Sequence, residues 1–162
     1  MKNNSLVIFF LAVFAIISCD SKSVYDTYST LSEGSWNKNN AVVFTFDVKD
    51  SIHKKNLFIN LRNNEDYAYS NLFLITQLRF ADGQVLVDTL EYDMTDTSGK
   101  FLGKGFSGVK ENKLFYKENI TFPTTGTHTF KVTQAMRKNG KIEGIKELKG
   151  ITQVGFRIEK TQ

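Results

Sequence analysis

The stretch Val42-Val43-Phe44-Thr45-Phe46-Asp47-Val48 (VVFTFDV, residues 42–48) decides the fold class, because its apolar side chains recur with a period of two. Val42, Phe44, Phe46 and Val48 share one face while Thr45 and Asp47 take the other, as in a strand with one side in a core and one in water. Leu57, Ile59 and Leu61 repeat the alternation until Asn63-Asn64 breaks it. The run Leu72 to Phe80 is apolar on both faces at first and then alternates, which predicts a central strand. Asp82-Gly83 follows, a strong two-residue hairpin signal, so Val85 to Tyr92 is expected to return antiparallel to that strand.

Further along, Met94 to Gly108 carries Ser98-Gly99, Gly103, Gly105 and Gly108 and reads as a crossing loop. Strands resume over Lys113 to Phe122, stop at Pro123 and Gly126, and continue from His128 to Arg137 and from Ile151 to Glu159, where Val154, Phe156 and Ile158 alternate. Asn139 to Gly150 is the only stretch with any helical capacity, and its internal glycines, Gly140 and Gly144, make a poor helix. Seven to nine short strands with Gly, Asn and Asp turns predict an all-β chain, a single antiparallel β-sandwich of jelly-roll-like or Ig-like type.

The N-terminus has a different grammar. Lys2 supplies a charged start, Leu6 to Ile17 is an unbroken apolar run, and Ile16-Ile17-Ser18-Cys19 has the shape of a bacterial lipobox, in which the cysteine becomes the acylated first residue. A transmembrane helix needs about 20 apolar residues, and Asp20 closes this run too early. Cys19 is the only cysteine, so no disulfide is available, and acylation caps a thiol that would otherwise stand unpaired in an oxidising compartment. The expected organisation is a removed signal peptide at 1–18, an acylated Cys19 with a short tether at 19–30, and a β-sandwich domain at 31–162. Several acyl chains hold a protein on a membrane permanently, where a single chain binds only marginally.

Residues 19–100 hold eight Lys or Arg against twelve Asp or Glu, whereas residues 101–162 hold twelve against five. A sequence pI near 9.1 in an exported chain does not point to nucleic acid. The basic stretch Lys131, Arg137, Lys138, Lys141, Lys146 and Lys149 reads either as a solvated face or as a surface for acidic lipid or polysaccharide.

No motif announces catalysis. His53 and His128 lie on separate runs without a ligand cluster, no serine sits in a G-x-S-x-G elbow, and sequence alone does not show two carboxylates facing one another across a cleft. The segment GKFLGKGFSG (residues 99–108) lacks the strand before and helix after that a phosphate loop needs, so it reads as a crossover, with Phe101 and Phe106 as aromatic candidates for packing or for partner contact. Arg62, Asn63, Asn64, Tyr67 and Tyr69 lie in RNNEDYAYSN (residues 62–71), a composition suited to protein or sugar contacts and equally to a turn whose Asn side chains bond their own backbone. The residues themselves give no metal, no cofactor and no catalytic set.

In order and spacing, LRNN (61–64), YAYSNLFL (67–74), Asp88-Thr89-Leu90, GKFLGKG (99–105), Phe122-Pro123 with Gly126, QAMR (134–137) and GITQVGFRIE (150–159) resemble the gliding motility lipoprotein GldH family of the Bacteroidetes. The resemblance covers essentially the whole mature domain and the lipoprotein signal. It implies a lipid-anchored cell-envelope protein required for gliding, a non-catalytic interaction or stabilising component of the gliding and type IX secretion machinery with protein partners there. The preferred site is the outer membrane facing the periplasm, with the inner membrane as the other option. The competing expectation is a carbohydrate-binding or cell-wall-modifying envelope lipoprotein whose partner is a glycan, recognised by an exposed aromatic platform or a carboxylate cleft.

Overall fold

Alternation in the sequence becomes alternation in burial: along Val42–Val48, residues 42, 44, 46 and 48 are buried and 43, 45 and 47 exposed. The computed structural model describes residues 21–161. Its strands are β1 (Ser23–Thr30), β2 (Ser35–Asn37), β3 (Val42–Val48), β4 (Lys55–Asn63), β5 (Asn71–Arg79), β6 (Val85–Asp93), β7 (Lys110–Ile120), β8 (Gly126–Gln134), β9 (Glu147–Lys149) and β10 (Ile151–Lys160).

All pairings are antiparallel, in two four-stranded sheets ordered β1-β10-β4-β7 and β3-β8-β5-β6, with β2 and β9 as a separate ribbon. Only β5 and β6 are chain neighbours within a sheet, joined by the expected Asp82-Gly83 turn, in which the Gly83 N–H donates to the Phe80 carbonyl at 3.0 Å. Every other connection between the long strands crosses from one sheet to the other. That interleaving is the jelly-roll order and sets the Ig-like alternative aside, because Ig sheets keep consecutive strands such as A and B together.

Two expectations are corrected. The described residues form ten strands rather than seven to nine, because β2 and β9 are too short to show a period, each burying one large side chain, Trp36 and Leu148. The tether expected at 19–30 overlaps β1, and the sandwich starts at Ser23 rather than at residue 31. SVYDTYST escapes pattern reading because it is a mostly exposed edge strand: Tyr25 packs on Phe46 and Phe156 at 5.3 and 6.2 Å, and the ladder to β10 supplies the rest. Residues 139–150, already a poor helix former by sequence, form turns, an Arg137–Gly144 bridge and β9.

Aromatic rings fill the space between the sheets. Phe130 of β8 stacks on Phe156 of β10 with centroids 4.1 Å apart and planes inclined by 15°. Phe44 and Phe46 of β3 approach Phe156 at 6.1 and 5.4 Å. His128 belongs to this core rather than to a surface: its ring lies 4.8 Å from Phe122 and 5.8 Å from Phe46. Its Nδ1 accepts from the Ala81 N–H at 3.3 Å and its Nε2 faces the Thr124 carbonyl at 3.1 Å, the partners of a neutral imidazole. Burial pushes its pKa below the ordinary 6.5.

Replacing Phe156 by alanine removes the ring that touches both sheets and is expected to cost about 3–5 kcal/mol, read as a lowered urea midpoint. The second prediction follows from His128. The unfolded chain takes up a proton near pH 6.5 while the folded core resists it, so this contribution to stability is complete above that pH and is lost progressively below it. Urea midpoints measured between pH 7 and 5 should fall for the parent and lose that component in His128→Phe; parallel slopes would reject the assignment.

Candidate docking surface

The two segments singled out in the sequence meet at one end of the sandwich. In the connector after β4, the Asp66 N–H donates to Asn64 Oδ1 at 3.0 Å and the Tyr67 N–H to the Asn64 carbonyl at 3.3 Å, so the asparagine organises a turn. Asn63 is buried and accepts from Asn112 Nδ2 of β7 at 2.9 Å. Tyr67 is only 3% exposed, its hydroxyl donating to the Asn71 carbonyl at 2.7 Å and its ring packing on Tyr69 and Phe101 at 5.8 and 6.5 Å. Its backbone rests on Gly150, where an added Cβ would stand 2.2 Å from the Tyr67 nitrogen and φ is +86°, so only glycine fits. Tyr67 and Asn63 are therefore removed from the set of partner-binding candidates: burial among Gly150, Phe101 and Asn112 occupies them. Tyr69 and Phe101 are half-buried beside Tyr67.

Phe106 has the opposite fate, with 94% of its surface exposed. Its loop is stitched to β7 on one side, where Lys104 and Glu111 exchange backbone hydrogen bonds of 2.9 and 2.7 Å, so the ring is held over the end of the β1-β10-β4-β7 sheet. A groove of about 630 Å³ runs beside it, lined by Leu31, Arg62, Lys104, Phe106, Glu111 and Gln153 among others.

Register across four strands builds the floor of this groove. Thr30, Gln153, Arg62 and Glu111 stand side by side on β1, β10, β4 and β7. Arg62 donates through Nε and Nη2 to Glu111 Oε2 at 3.1 and 3.0 Å and through Nη1 to Gln153 Oε1 at 2.6 Å, and Gln153 Nε2 reaches Thr30 at 2.9 Å. The guanidinium lies 4.6 Å over the ring of Tyr28, whose hydroxyl donates to Glu111 Oε1 at 2.8 Å. Burial, then the hydrogen bond and charge of Glu111, push the Tyr28 pKa up to about 12. Tyr28 lies flat because its partner across the ladder is Gly155: a Cβ there would come within 2.8 Å of the ring.

Sequence reasoning found Arg62 and Phe106 and missed Tyr28, Glu111 and Gln153. Tyr28 was hidden in the segment read as tether, and the others acquire their roles only through register. Further down the same face, Arg157 pairs with Asp26 and with Glu159 at 2.6 Å, and Lys113 meets Glu159 at 2.7 Å. Phe58 and Phe115 pack edge-to-face at 89°, which does not make the flat platform a sugar ring stacks on. Among the described residues no group of three His, Cys, Asp or Glu side chains converges on a metal-sized site. The arrangement is a rigid polar floor beneath one exposed aromatic ring, rich in the Arg, Tyr and Phe that anchor interfaces. Cys19 lies outside the described residues.

The profile of the family described as "GldH lipoprotein" matches residues 23–158, the sandwich from the start of β1 to near the end of β10. The chain is 54% identical over 157 residues to "Gliding motility lipoprotein GldH homolog" of Christiangramia forsetii, spanning 97% of this chain and 96% of that one. It is 44% identical over 160 residues to "Gliding motility lipoprotein GldH" of Flavobacterium johnsoniae, spanning 99% and 98%. Neither name is that of an enzyme. Among solved structures, the VP2 subviral particle of infectious bursal disease virus covers 84% of this chain and 30% of its own at 14% identity and a TM-score of 0.40, a likeness too loose to carry an argument. Matched across the sandwich by the family profile and along nearly its full length by both relatives, the chain belongs to the GldH lipoprotein family of gliding motility.

Proposed function

We propose that this gliding-motility lipoprotein is a non-catalytic docking component of the gliding and type IX secretion machinery, anchored through an acylated Cys19 in the outer membrane and facing the periplasm. The observation that carries the docking role is Phe106, exposed over a groove whose arginine, tyrosine and glutamate are already locked to one another. Locked side chains lose little freedom when a partner arrives, and an unburied aromatic ring supplies the area an interface core requires. Arg62 has both of its flanks engaged by Glu111 and Gln153, so it offers a fixed charge and a flat surface rather than a group free to shuttle protons.

Topology supports the placement. β1 runs from the tether at Ser23 to Thr30, so the groove, which includes Thr30 and Leu31, lies at the end of the sandwich away from the anchor. Seven extended steps from Ser23 to Thr30 separate the two ends by about 23 Å.

Phe106→Asp tests the reading in a strain making only the variant. An exposed substitution leaves stability within about 0.5 kcal/mol, so the lipoprotein should accumulate at the parental level. Loss of a hot-spot ring at about 2 kcal/mol weakens docking roughly 30-fold, and colony spreading should fall sharply; parental spreading would reject Phe106 as the anchor of the contact. Cys19→Ser tests attachment separately and should yield a protein without acyl chains and cells that do not glide.

A further inference from the structure

The end of the sandwich nearest the tether carries its own unexplained surface. The β3–β4 loop exposes 81% of Ile52, yet it is held firmly from beneath. Lys55, buried at the start of β4, donates to the carbonyls of Asp50 and His53 at 2.8 and 3.0 Å and to Asp50 Oδ2 at 3.1 Å. Asp50 Oδ1 accepts from the N–H groups of Ile52 and His53 at 3.0 and 3.2 Å. These backbone N–H groups, His53 first, hold the Asp50 carboxyl well below the usual carboxylate range, and Lys55 adds to them. A large apolar side chain is thus presented to solvent by a loop fixed from beneath through the internal Asp50–Lys55 pair.

Three chain segments come together around it. The Lys160 N–H donates to the Lys22 carbonyl at 3.0 Å, and Thr161 Oγ1 donates to the Lys54 carbonyl at 3.0 Å, so the root of the tether, the end of β10 and the β3–β4 loop form one surface. A cleft of about 970 Å³ lies there, lined by Val24, Val48, Lys49, Ile52, Lys54 and Lys160 among others. Lys49, Lys54 and Lys160 are exposed, and among the described residues no carboxylate pairs with them. Asp47 is the exposed acid beside them, and it accepts a hydrogen bond from Thr127 at 2.7 Å.

We infer that this end of the domain is a membrane-contact surface, with Ile52 entering the interface of an anionic bilayer while Lys49, Lys54 and Lys160 meet its headgroups. The inference rests on the reading of Cys19 as the acylated residue, and chain length then chooses the occupant. Cys19 precedes Ser23 by four peptide steps, about 14 Å when fully extended. An acyl chain in the bilayer therefore keeps this end against the lipid, where an apolar side chain ringed by lysines is the composition that inserts at an interface. Contact at Ile52 turns a loose leash into a fixed posture, with Phe106 directed away from the membrane.

Depth-dependent quenching tests the contact. The acylated full-length protein, carrying an environment-sensitive probe on Ser51→Cys, is placed in phosphatidylcholine–phosphatidylglycerol vesicles with brominated acyl chains; an Ile142→Cys probe marks the opposite end. Burial of about 5–10 Å should quench the Ser51 probe roughly twofold and leave the Ile142 probe unchanged. The combined variant Lys49→Glu, Lys54→Glu, Lys160→Glu should keep its circular dichroism and lose the quenching. Equal emission with and without brominated lipid, or undiminished quenching in the variant, would overturn the contact. Mass spectrometry of the same preparation reads the acyl chains on Cys19: their absence would overturn the anchor and the contact with it, whereas acylated protein with an unquenched probe overturns the contact alone.

Discussion

The stack of Phe130 on Phe156, one ring from each sheet with centroids 4.1 Å apart, is the contact on which the rest of the molecule depends. With one cysteine in the chain, no disulfide fixes the sheets to each other. Their separation is set by ring thickness, and their relative slide by how Phe44, Phe46 and Tyr25 close around Phe156. Because every connection between the long strands except β5–β6 passes between the sheets, a shift at this stack would displace the turns at both ends at once. Far edges are pinned separately: Asp88 of β6 accepts from Tyr116 and Lys117 of β7 at 3.0 and 3.1 Å, and the Tyr92 hydroxyl donates to the Phe115 carbonyl at 2.6 Å.

A rigid core of this kind converts a chemically plain sheet into a directional object. The tether leaves from one end, at Ser23, while the crossover loop with Phe106 and the Asn64 turn stand at the other, joined through the length of β1. On the outer face, Tyr28, Arg62, Glu111 and Gln153 come from four strands and owe their contact to register, so a slip of one residue in β10 would turn Gln153 and Arg157 into the core.

What the sequence discloses follows from how far apart the causes lie. VVFTFDV, LFINL and ITQVGFRIE are legible because a strand with one wet face writes its own burial in a period of two, and Asp82-Gly83 is legible because a tight turn is a local decision. β1 is not, since an edge strand with polar residues on its open side and a single inward tyrosine looks like a tether until β10 is placed beside it. RNNEDYAYSN has the composition of a recognition loop, yet Tyr67 is decided by Gly150, far along the chain, whose missing side chain lets the connector collapse onto the sandwich. Phe106 and Phe101, five residues apart in one glycine-rich segment, end as an exposed tip and a packed ring because Phe101 finds Tyr67 and a bridge to Thr95, while Phe106 overhangs the sheet.

Several carboxylates are matched by cations within the molecule. Glu111 is matched by Arg62, Asp88 by Lys117, Glu159 by Lys113 and Arg157, and Asp50 by Lys55. Asp50 is held below the ordinary carboxylate range chiefly by backbone N–H groups, Asp96 chiefly by Ser98, and Glu159, against the opposing effect of burial, by Lys113 and Arg157. General acid chemistry asks for the opposite, a carboxyl raised by burial or by a like charge so that it keeps its proton near neutral pH. Carboxylates tied to cations stiffen a face and keep their charge constant. Phe106 and Ile52 are exposed at opposite ends of this scaffold, and two apolar side chains facing apart on a rigid body suit a part held between a membrane and a partner.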